Sequence, residues 1–430
     1  MHELVTIILA SNLCSRMKSS ATEVTQKICG KPLLSYVIDA ASQAGSGALA
    51  LVLDGEDHGI REIVPKNTIF VFQEQGCNIA HSLMQIADIL ENKEGTVLLI
   101  NGNIPTITAE TLRSSYDYHR QQGGKATILA AQSENLSENK TIPSGICFID
   151  IHSFLTAITR QDHNSSENNI FPEIIQMLIN SGTEFTSCKV GDPSELRTVQ
   201  DRMQLNEAER TILKRIIHKH MQNGVTFHLP ETCLIHENVQ IGRDTVIHPG
   251  TILEGNTVIG ENCEIGPYSR IEDGTVGNGV IFMNSVMTQS EVGNNTKVGP
   301  FAYIRPGSKI GQNIKIGDFV EIKNSVIDDG AKVPHLSYVG DSDVGKCVNI
   351  GCGVVAVNYD GRKKHRTVIG DHAFIGCNAN LVSPVVIKDY AYIAAGSTIT
   401  EEVPEYALAI ARSRQTVIEN WVKKKGLDNK

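Results

Sequence analysis

Residues 291–323 read EVGNNTKVGPFAYIRPGSKIGQNIKIGDFVEIK, and in them an aliphatic side chain returns at every sixth position: Val292, Val298, Ile304, Ile310, Ile316 and Ile322. A period of six fits neither a 3.6-residue helix nor a two-residue strand. It fits a chain that turns a corner every six residues, three corners to a coil. Working outward, the same phase reaches back to Val280 and Val286, and an earlier phase holds Ile235, Ile241, Ile247, Leu253, Ile259, Ile265 and Ile271. Toward the C-terminus the repeat continues through Ile327, Val333, Val339, then Val344, Ile350, Ala356, and finally Ile369, Ile375, Leu381, Ile387, Ile393 and Ile399. Twenty-seven hexads over residues 234–400 make nine coils of a parallel β-helix with the aliphatics stacked inside. Glycine often follows the aliphatic, as at Gly242, Gly293, Gly311 and Gly351, which a corner with unusual dihedrals would demand.

The 430-residue chain exceeds one ordinary domain, and the change to hexads near residue 230 marks a boundary. Aliphatic runs at 4–10, 48–53, 69–72 and 97–100 alternate with helical patterns at 33–44, 81–90 and 108–120, predicting a parallel sheet covered by helices. Polar loops are expected at 133–140 and 161–169. Asp192-Pro193-Ser194-Glu195 then opens a long helix with Ser194 as N-cap, an apolar stripe of Leu205, Ala208, Ile212 and Ile216, and a stop at Gly224. The expected division is an α/β domain over 1–193, a linker helix over 194–226 and the β-helix domain over 227–430.

A formal charge of −9 argues against nucleic acid as a partner, because phosphate backbones call for a basic surface. No run of about twenty apolar residues is present, and the opening MHELVTIILASNL lacks the basic start and long apolar core of a signal peptide. The expectation is a cytoplasmic protein without membrane insertion. Ten cysteines without ligand-like spacing read as reduced packing thiols, and no metal site is expected.

Within the hexads, Arg305 and Lys323 stand where glycine often follows the aliphatic, one coil of eighteen residues apart. They therefore leave the same corner on neighbouring coils, separated by about 4.8 Å. Two cations stacked there repel, and an anion between them reverses the sign, so the pair reads as a phosphate site; two solvated surface cations are the plain alternative. Residues 356–366 break the repeat and must protrude as a loop, whose Arg362, Lys363, Lys364, His365 and Arg366 form either a solvated tip or a further phosphate contact.

The whole chain resembles the bacterial bifunctional N-acetylglucosamine-1-phosphate uridyltransferase / glucosamine-1-phosphate acetyltransferase family. The resemblance implies a nucleotidyltransferase-like (Rossmann-like) domain, a helical arm and a left-handed hexapeptide-repeat β-helix. The match is uneven. The family's loop Leu-Ala-x-Gly-x-Gly-Thr-Arg-Met is here Leu9-Ala10-Ser11-Asn12-Leu13-Cys14-Ser15-Arg16-Met17, with both loop glycines gone. The family's catalytic lysine falls on Glu23, in a register set by Gly30-Lys31-Pro32-Leu33, and its magnesium-binding Gly-Asp is Gly102-Asn103. Its uracil-reading glutamine falls on Phe72 and its Gly-Thr-Gly on Cys77-Asn78-Ile79, and a sugar-binding stretch is missing between Gln132 and Ile142. Asp201, at the second metal-ligand position, is what remains of the magnesium site. Several independent losses at one site predict that uridylyl transfer is gone.

The second half keeps the family's pattern. His335-Leu336-Ser337-Tyr338-Val339-Gly340-Asp341 matches Gly-His-Leu-x-Tyr-x-Gly-Asp apart from Pro334 in place of the first glycine. The resemblance makes His335 the general base that deprotonates the amine of glucosamine 1-phosphate. It assigns Arg305 and Lys323 to the sugar phosphate, Tyr338 and Asn349 to the sugar, and Asn358, Tyr359 and Lys364 of the protruding loop to the substrate. Acetyl-CoA contacts fall on Cys377, in place of a serine, Ala395 and Arg412, with Cys352 in an alanine slot beside them. The tail over 403–430 is expected to complete the coenzyme site across a homotrimer. The implied enzyme makes N-acetylglucosamine 1-phosphate for UDP-N-acetylglucosamine and cell-envelope synthesis. Competing readings are a bifunctional enzyme that keeps uridylyl transfer, a non-catalytic scaffold or regulator, and other hexapeptide proteins; zinc carbonic anhydrases among the last need three convergent histidines.

Overall fold

The computed structural model describes residues 3–10, 15–19, 21–54, 59–73, 79–91, 93–131, 144–159 and 170–428. The chain forms two compact units, Met1–Arg215 and Ile216–Lys430.

Among the described residues, the first unit holds one seven-stranded sheet. Its strands are β1 (Glu3–Leu9), β2 (Ala48–Asp54), β3 (Ile69–Gln73), β4 (Gly95–Asn101), β5 (Ala126–Ala130), β6 (Ile146–Asp150) and β7 (Phe185–Lys189), in the order β3-β2-β1-β4-β6-β5-β7. Only β6 runs antiparallel to its neighbours. The central strands read as continuous aliphatic runs because both faces are covered. Val5 and Ile7 face one apolar cluster with Leu83 and Ile86 of α2 (Ile79–Leu90), while Leu4 and Ile8 face another with Leu34 and Val37 of α1 (Leu33–Gln43) and Leu112 of α3 (Ala109–Gln122). Elements without a sequence expectation include β5, β6, β7, α4 (Ile151–Thr159) and α5 (Ile170–Asn180).

Ser194 does not cap the long helix. Asp192 caps a single 3-10 turn, Pro193–Leu196, through its side chain and Ser194 N. The chain then stays extended, with Val199 N donating to the Asn103 carbonyl, before α6 runs Arg202–Gln222. Asp201 Oδ1 accepts from Met203 N and Gln204 N, both at 2.9 Å, which satisfies two otherwise orphaned amides and sets the true start. Among the described residues no helix is long and apolar enough to cross a membrane.

The second unit is a left-handed parallel β-helix. Among the described residues its strands stack in three parallel sheets of 11, 10 and 9 members, called here the first, second and third faces. The chain visits the faces in turn, so each strand pairs with the one a coil later, as Leu234 does with Ile252. On the second face the inward column Ile235, Leu253, Ile271, Met287, Ile304, Ile322, Val339, Ala356, Leu381 and Ile399 is at most 4% exposed. Each large member contributes about 1.5–3 kcal/mol through burial.

Two expectations need correcting. Between Ile271 and Val292 the inward row is Val276, Phe282 and Met287 rather than Val280 and Val286, since Ile271 pairs with Met287 and Phe282 with Val298. Arg270 meets Val286 sixteen positions on, where Leu234 meets Ile252 eighteen on, so these coils have contracted corners. Val280 is still buried, but in a corner, and Val286 faces outward. Most of the glycines that follow the aliphatic, too, have a different cause, Gly266 and Gly299 (each φ 101°) being the two that do take the expected left-handed conformation. Gly242 and Gly293 do not have positive φ; a β-carbon on them would lie 2.6 and 2.7 Å from the backbone of the next coil, at Gly260 and Gly311. Close approach selects glycine there, while the left-handed positions are taken by residues such as Asn295 (φ 56°) and Asn313 (φ 58°), which tolerate them.

Candidate functional site

The second face and its two corners gather most of the expected residues. Arg305 follows strand Tyr303–Ile304 and Lys323 ends strand Glu321–Lys323, in register, with Arg305 N bonded to the Ile322 carbonyl. Both leave the corner toward the third face. Buried hydroxyls hold their backbones: Ser290 and Ser308 each donate to the Arg305 carbonyl at 2.8 Å, and Ser325 donates to that of Lys323 at 2.9 Å. Each cation has a carboxylate one coil away. Arg305 Nη1 is 2.7 Å from Glu321 Oε1, and Lys323 Nζ is 3.4 Å from Asp341 Oδ2.

Asp341 joins the corner together. Asn324 Nδ2 donates to its Oδ1 at 2.6 Å, and Asn358 Nδ2 donates to its Oδ2. Burial alone would raise the Asp341 pKa, but the two amides and the Lys323 ammonium outweigh it and hold the carboxyl below the usual range. On the next rung Gly340 takes the place of Arg305 and Lys323. A β-carbon there would meet the Tyr338 hydroxyl at 2.4 Å, so its absence lets the phenol lean across the corner to within 3.3 Å of Asn358 Nδ2.

The loop leaves the coil at this same corner as a small hairpin closed by a Tyr359–Lys364 bridge. Asp360 holds it by accepting from Arg362 N, Lys363 N and His365 Nε2, each at 2.7 Å. Lys364 comes against Lys323, and the contact with that ammonium lowers the Lys364 pKa, with Arg305 adding in the same direction. Three cations thus face one corner. Tyr359 turns its hydroxyl back to the Gly361 carbonyl at 2.8 Å, and Arg366 is tied to Asp343 and to the Asn324 and Ser342 carbonyls.

His335 stands at the opposite corner, between the first and second faces, in register with Asp318. Its Nδ1 lies 2.7 Å from Asp318 Oδ1, and this bond lowers the Asp318 pKa. A carboxylate only accepts, so Nδ1 carries the proton and Nε2 presents its lone pair in the neutral ring. The His335 carbonyl accepts from Ser337 Oγ at 2.8 Å, and the same hydroxyl reaches the Gly351 carbonyl at 3.1 Å. Below His335 this corner continues with Cys352, Cys377 and Ala395, linked by Asn378 N to the Cys352 carbonyl and Gly396 N to the Cys377 carbonyl, both at 2.8 Å. Arg412 lies over Gly396, with Cδ 3.8 Å from where a β-carbon would be. Asn349 is placed on the first face between Lys332 and Phe374 instead of on the second face with Tyr338. Asp318, Glu321 and the serine hydroxyls had no place in the sequence expectation, and Gly340 and Asp341 entered it only as motif positions without a role. For the three carboxylates the signal was a spacing of about one coil, 17 positions from Asp318 to His335, 16 from Arg305 to Glu321 and 18 from Lys323 to Asp341.

In the first unit, Glu23 and Asn103 are 2% and 6% exposed, and Asn103 Nδ2 donates both to Glu23 Oε1 and, at 3.2 Å, to the Val199 carbonyl. Asp201 Oδ1 is engaged as the cap of α6. The donor set that remains does not fit magnesium, which prefers carboxylates in near-octahedral array; Asn103 brings a neutral oxygen. Among the described residues no group of three or more His, Cys, Asp or Glu is arranged to hold a metal ion. Phe72 lies within β3, its ring stacked 6.3 Å from that of Phe70. Asn12, Cys14, Cys77, Asn78 and the segment 132–143 lie outside the described residues.

The MobA-like NTP transferase domain family matches residues 6–179, and the bacterial transferase hexapeptide (six repeats) family matches 238–273, 289–324 and 366–401. The gap at 274–288 coincides with the contracted coils. A nucleotidyl transferase from Methanothermobacter thermautotroptrophicus is 16% identical with a TM-score of 0.39, covering 50% of this chain and 100% of its own. "Bifunctional protein GlmU" of Acetivibrio thermocellus is 46% identical, covering 99% of each chain, and that of Caldanaerobacter subterraneus subsp. tengcongensis is likewise 46% identical over 99% of each. The protein of the same name in Clostridium novyi is 42% identical over 98% of each. With both halves matched along nearly the full length, the chain belongs to the bifunctional GlmU family of transferases.

Proposed function

We propose that the second unit transfers the acetyl group of acetyl-CoA to the amine of glucosamine 1-phosphate, giving N-acetylglucosamine 1-phosphate. The observation that carries this reading is the arrangement around the strand Tyr338–Gly340: three cations at one end, and a histidine with its Nε2 lone pair available at the other. Arg305, Lys323 and Lys364 neutralise the phosphate, Tyr338 and Asn358 contact the sugar, and Asn349 and the Tyr359 backbone border the substrate. His335 Nε2 takes a proton from the ammonium, the amine attacks the thioester carbonyl, the departing thiolate takes that proton as the tetrahedral intermediate collapses, and the nitrogen sheds its second proton to solvent to leave the neutral amide. Asp318 holds the tautomer and steadies the imidazolium. Acetyl-CoA lies along the corner of Cys352, Cys377 and Ala395, reaching Arg412. The protein works as a homotrimer in the cytoplasm, and the tail's exposed Val417, Ile418, Trp421 and Val422 are covered by neighbouring subunits. Purified protein with glucosamine 1-phosphate and acetyl-CoA should release free thiol; no release, or a single monomeric species by light scattering, overturns the corresponding part.

The first unit, in this proposal, no longer performs uridylyl transfer, because a buried carboxylate stands where phosphate neutralisation is needed. The second reading, that the chain also transfers a uridylyl group from UTP, is favoured by its relatives, which are named bifunctional. Pyrophosphate release from UTP separates the two.

A further inference from the structure

The corner that carries His335 also carries two thiols that the reaction does not use. Cys352 and Cys377 occupy successive coils of this column, joined through Asn378 N and the Cys352 carbonyl at 2.8 Å, as Leu336 N joins the Asp318 carbonyl at 2.9 Å above them. In-register strands are about 4.8 Å apart, inside the roughly 4.4–6.8 Å over which α-carbons accept a disulfide. Side chains stacked at these corners do touch. Asp318 and His335 meet at 2.7 Å in the same column, and Gln312 Nε2 and Asp329 Oδ2 meet at 3.2 Å in the column between the third and first faces. The thiols are also open to solution: Cys377 is exposed and Cys352 half-buried, whereas Cys29, Cys147, Cys233 and Cys263 are buried. Cys347 is exposed, but its neighbours along its own column are Gly330 and His372, which carry no sulfur.

We propose that Cys352 and Cys377 form a dithiol site that captures low-molecular-weight disulfides and closes to a disulfide between coils, excluding acetyl-CoA. The exposed Cys377 thiolate attacks one sulfur of the small disulfide and expels the first thiolate. The Cys352 thiolate then attacks the Cys377 sulfur of the mixed disulfide and expels the second. The protein loses two electrons and two protons, and the small disulfide gains them as two thiols. The exclusion of acetyl-CoA rests on the coenzyme placement proposed above; the dithiol chemistry does not.

The test treats the full-length reduced protein with glutathione disulfide and reads peptide masses without reduction. The expected product lacks two hydrogens and links the peptides of Cys352 and Cys377. Cys352→Ala should stop at a stable glutathione adduct on Cys377, and Cys347→Ser should link like the wild type. Separate adducts on Cys352 and Cys377, or two free thiols, overturn the proposal. Acetyl transfer, followed on the same samples, should fall in proportion to the linked fraction and return with dithiothreitol. Linkage with full activity overturns the exclusion of acetyl-CoA, whereas a reduced protein that never acetylates but still links contradicts the acetyltransferase reading alone.

Discussion

The side-chain amide of Asn103 donates to the carboxylate of Glu23, and neither residue is more than 6% exposed. Two positions that the family resemblance assigns to a metal and a triphosphate are thus bonded to each other. With magnesium, UTP and N-acetylglucosamine 1-phosphate, pyrophosphate release is expected at the no-enzyme rate. Loss of one preorganised charge contact costs about 2.7–4 kcal/mol, and here the lysine and the metal carboxylate are both replaced. Release above the control that disappears in Asp201→Ala would show an active first unit.

His335→Ala is expected to lower turnover by roughly 10²–10⁴-fold with the β-helix intact, because the base acts in the transition state and its side chain is outside the inward columns. Asp318→Ala should give a smaller fall in kcat with KM for the sugar phosphate unchanged, as suits a positioning residue. Steady-state kinetics and circular dichroism check both, and wild-type turnover in His335→Ala removes it from the mechanism.

Arg305→Ala should raise KM for glucosamine 1-phosphate by about 10- to 100-fold, the range of a lost charged hydrogen bond of roughly 1.5–3 kcal/mol, with kcat little changed. Glu321→Gln, which removes the carboxylate 2.7 Å from Arg305, should not raise KM. A defect confined to kcat in Arg305→Ala contradicts the phosphate assignment.

Asp341 has a lowered pKa in the folded protein, so its contribution to stability is present above the ordinary carboxylate range and lost as pH falls through the folded value. Asp341→Asn removes the counter-charge of Lys323 and weakens two amide bonds, at an expected cost of about 1.5–3 kcal/mol near neutral pH. Thermal unfolding of both proteins should show the gap closing as the pH drops below the carboxylate range. A gap independent of pH assigns the effect to packing.

Met287→Ala should destabilise the second unit by about 2–5 kcal/mol, since Met287 is fully buried, while Val286→Ala, on the outward side, should cost less than about 1 kcal/mol. Denaturant unfolding of the two variants tests the register of the contracted coils, and the reverse order refutes it.

What could be read from the sequence followed from periodicity. A chain that stacks on itself must present an apolar side chain inward at each pass, so Val292 to Ile322 disclosed the β-helix, the shared corner of Arg305 and Lys323, and the protrusion after Ala356. Tertiary structure decided whatever depends on the length of a coil. Contracting a few corners by one residue moved the core from Val280 and Val286 to Phe282 and Met287, a shift hidden because valine suits a corner as well as a strand. It also decided partnership: Asp318 with His335, Asp341 with Lys323 and Asn358, and Glu23 with Asn103 are pairs far apart in the chain, and only the approach of one coil or loop to another brings their polar atoms within hydrogen-bonding distance.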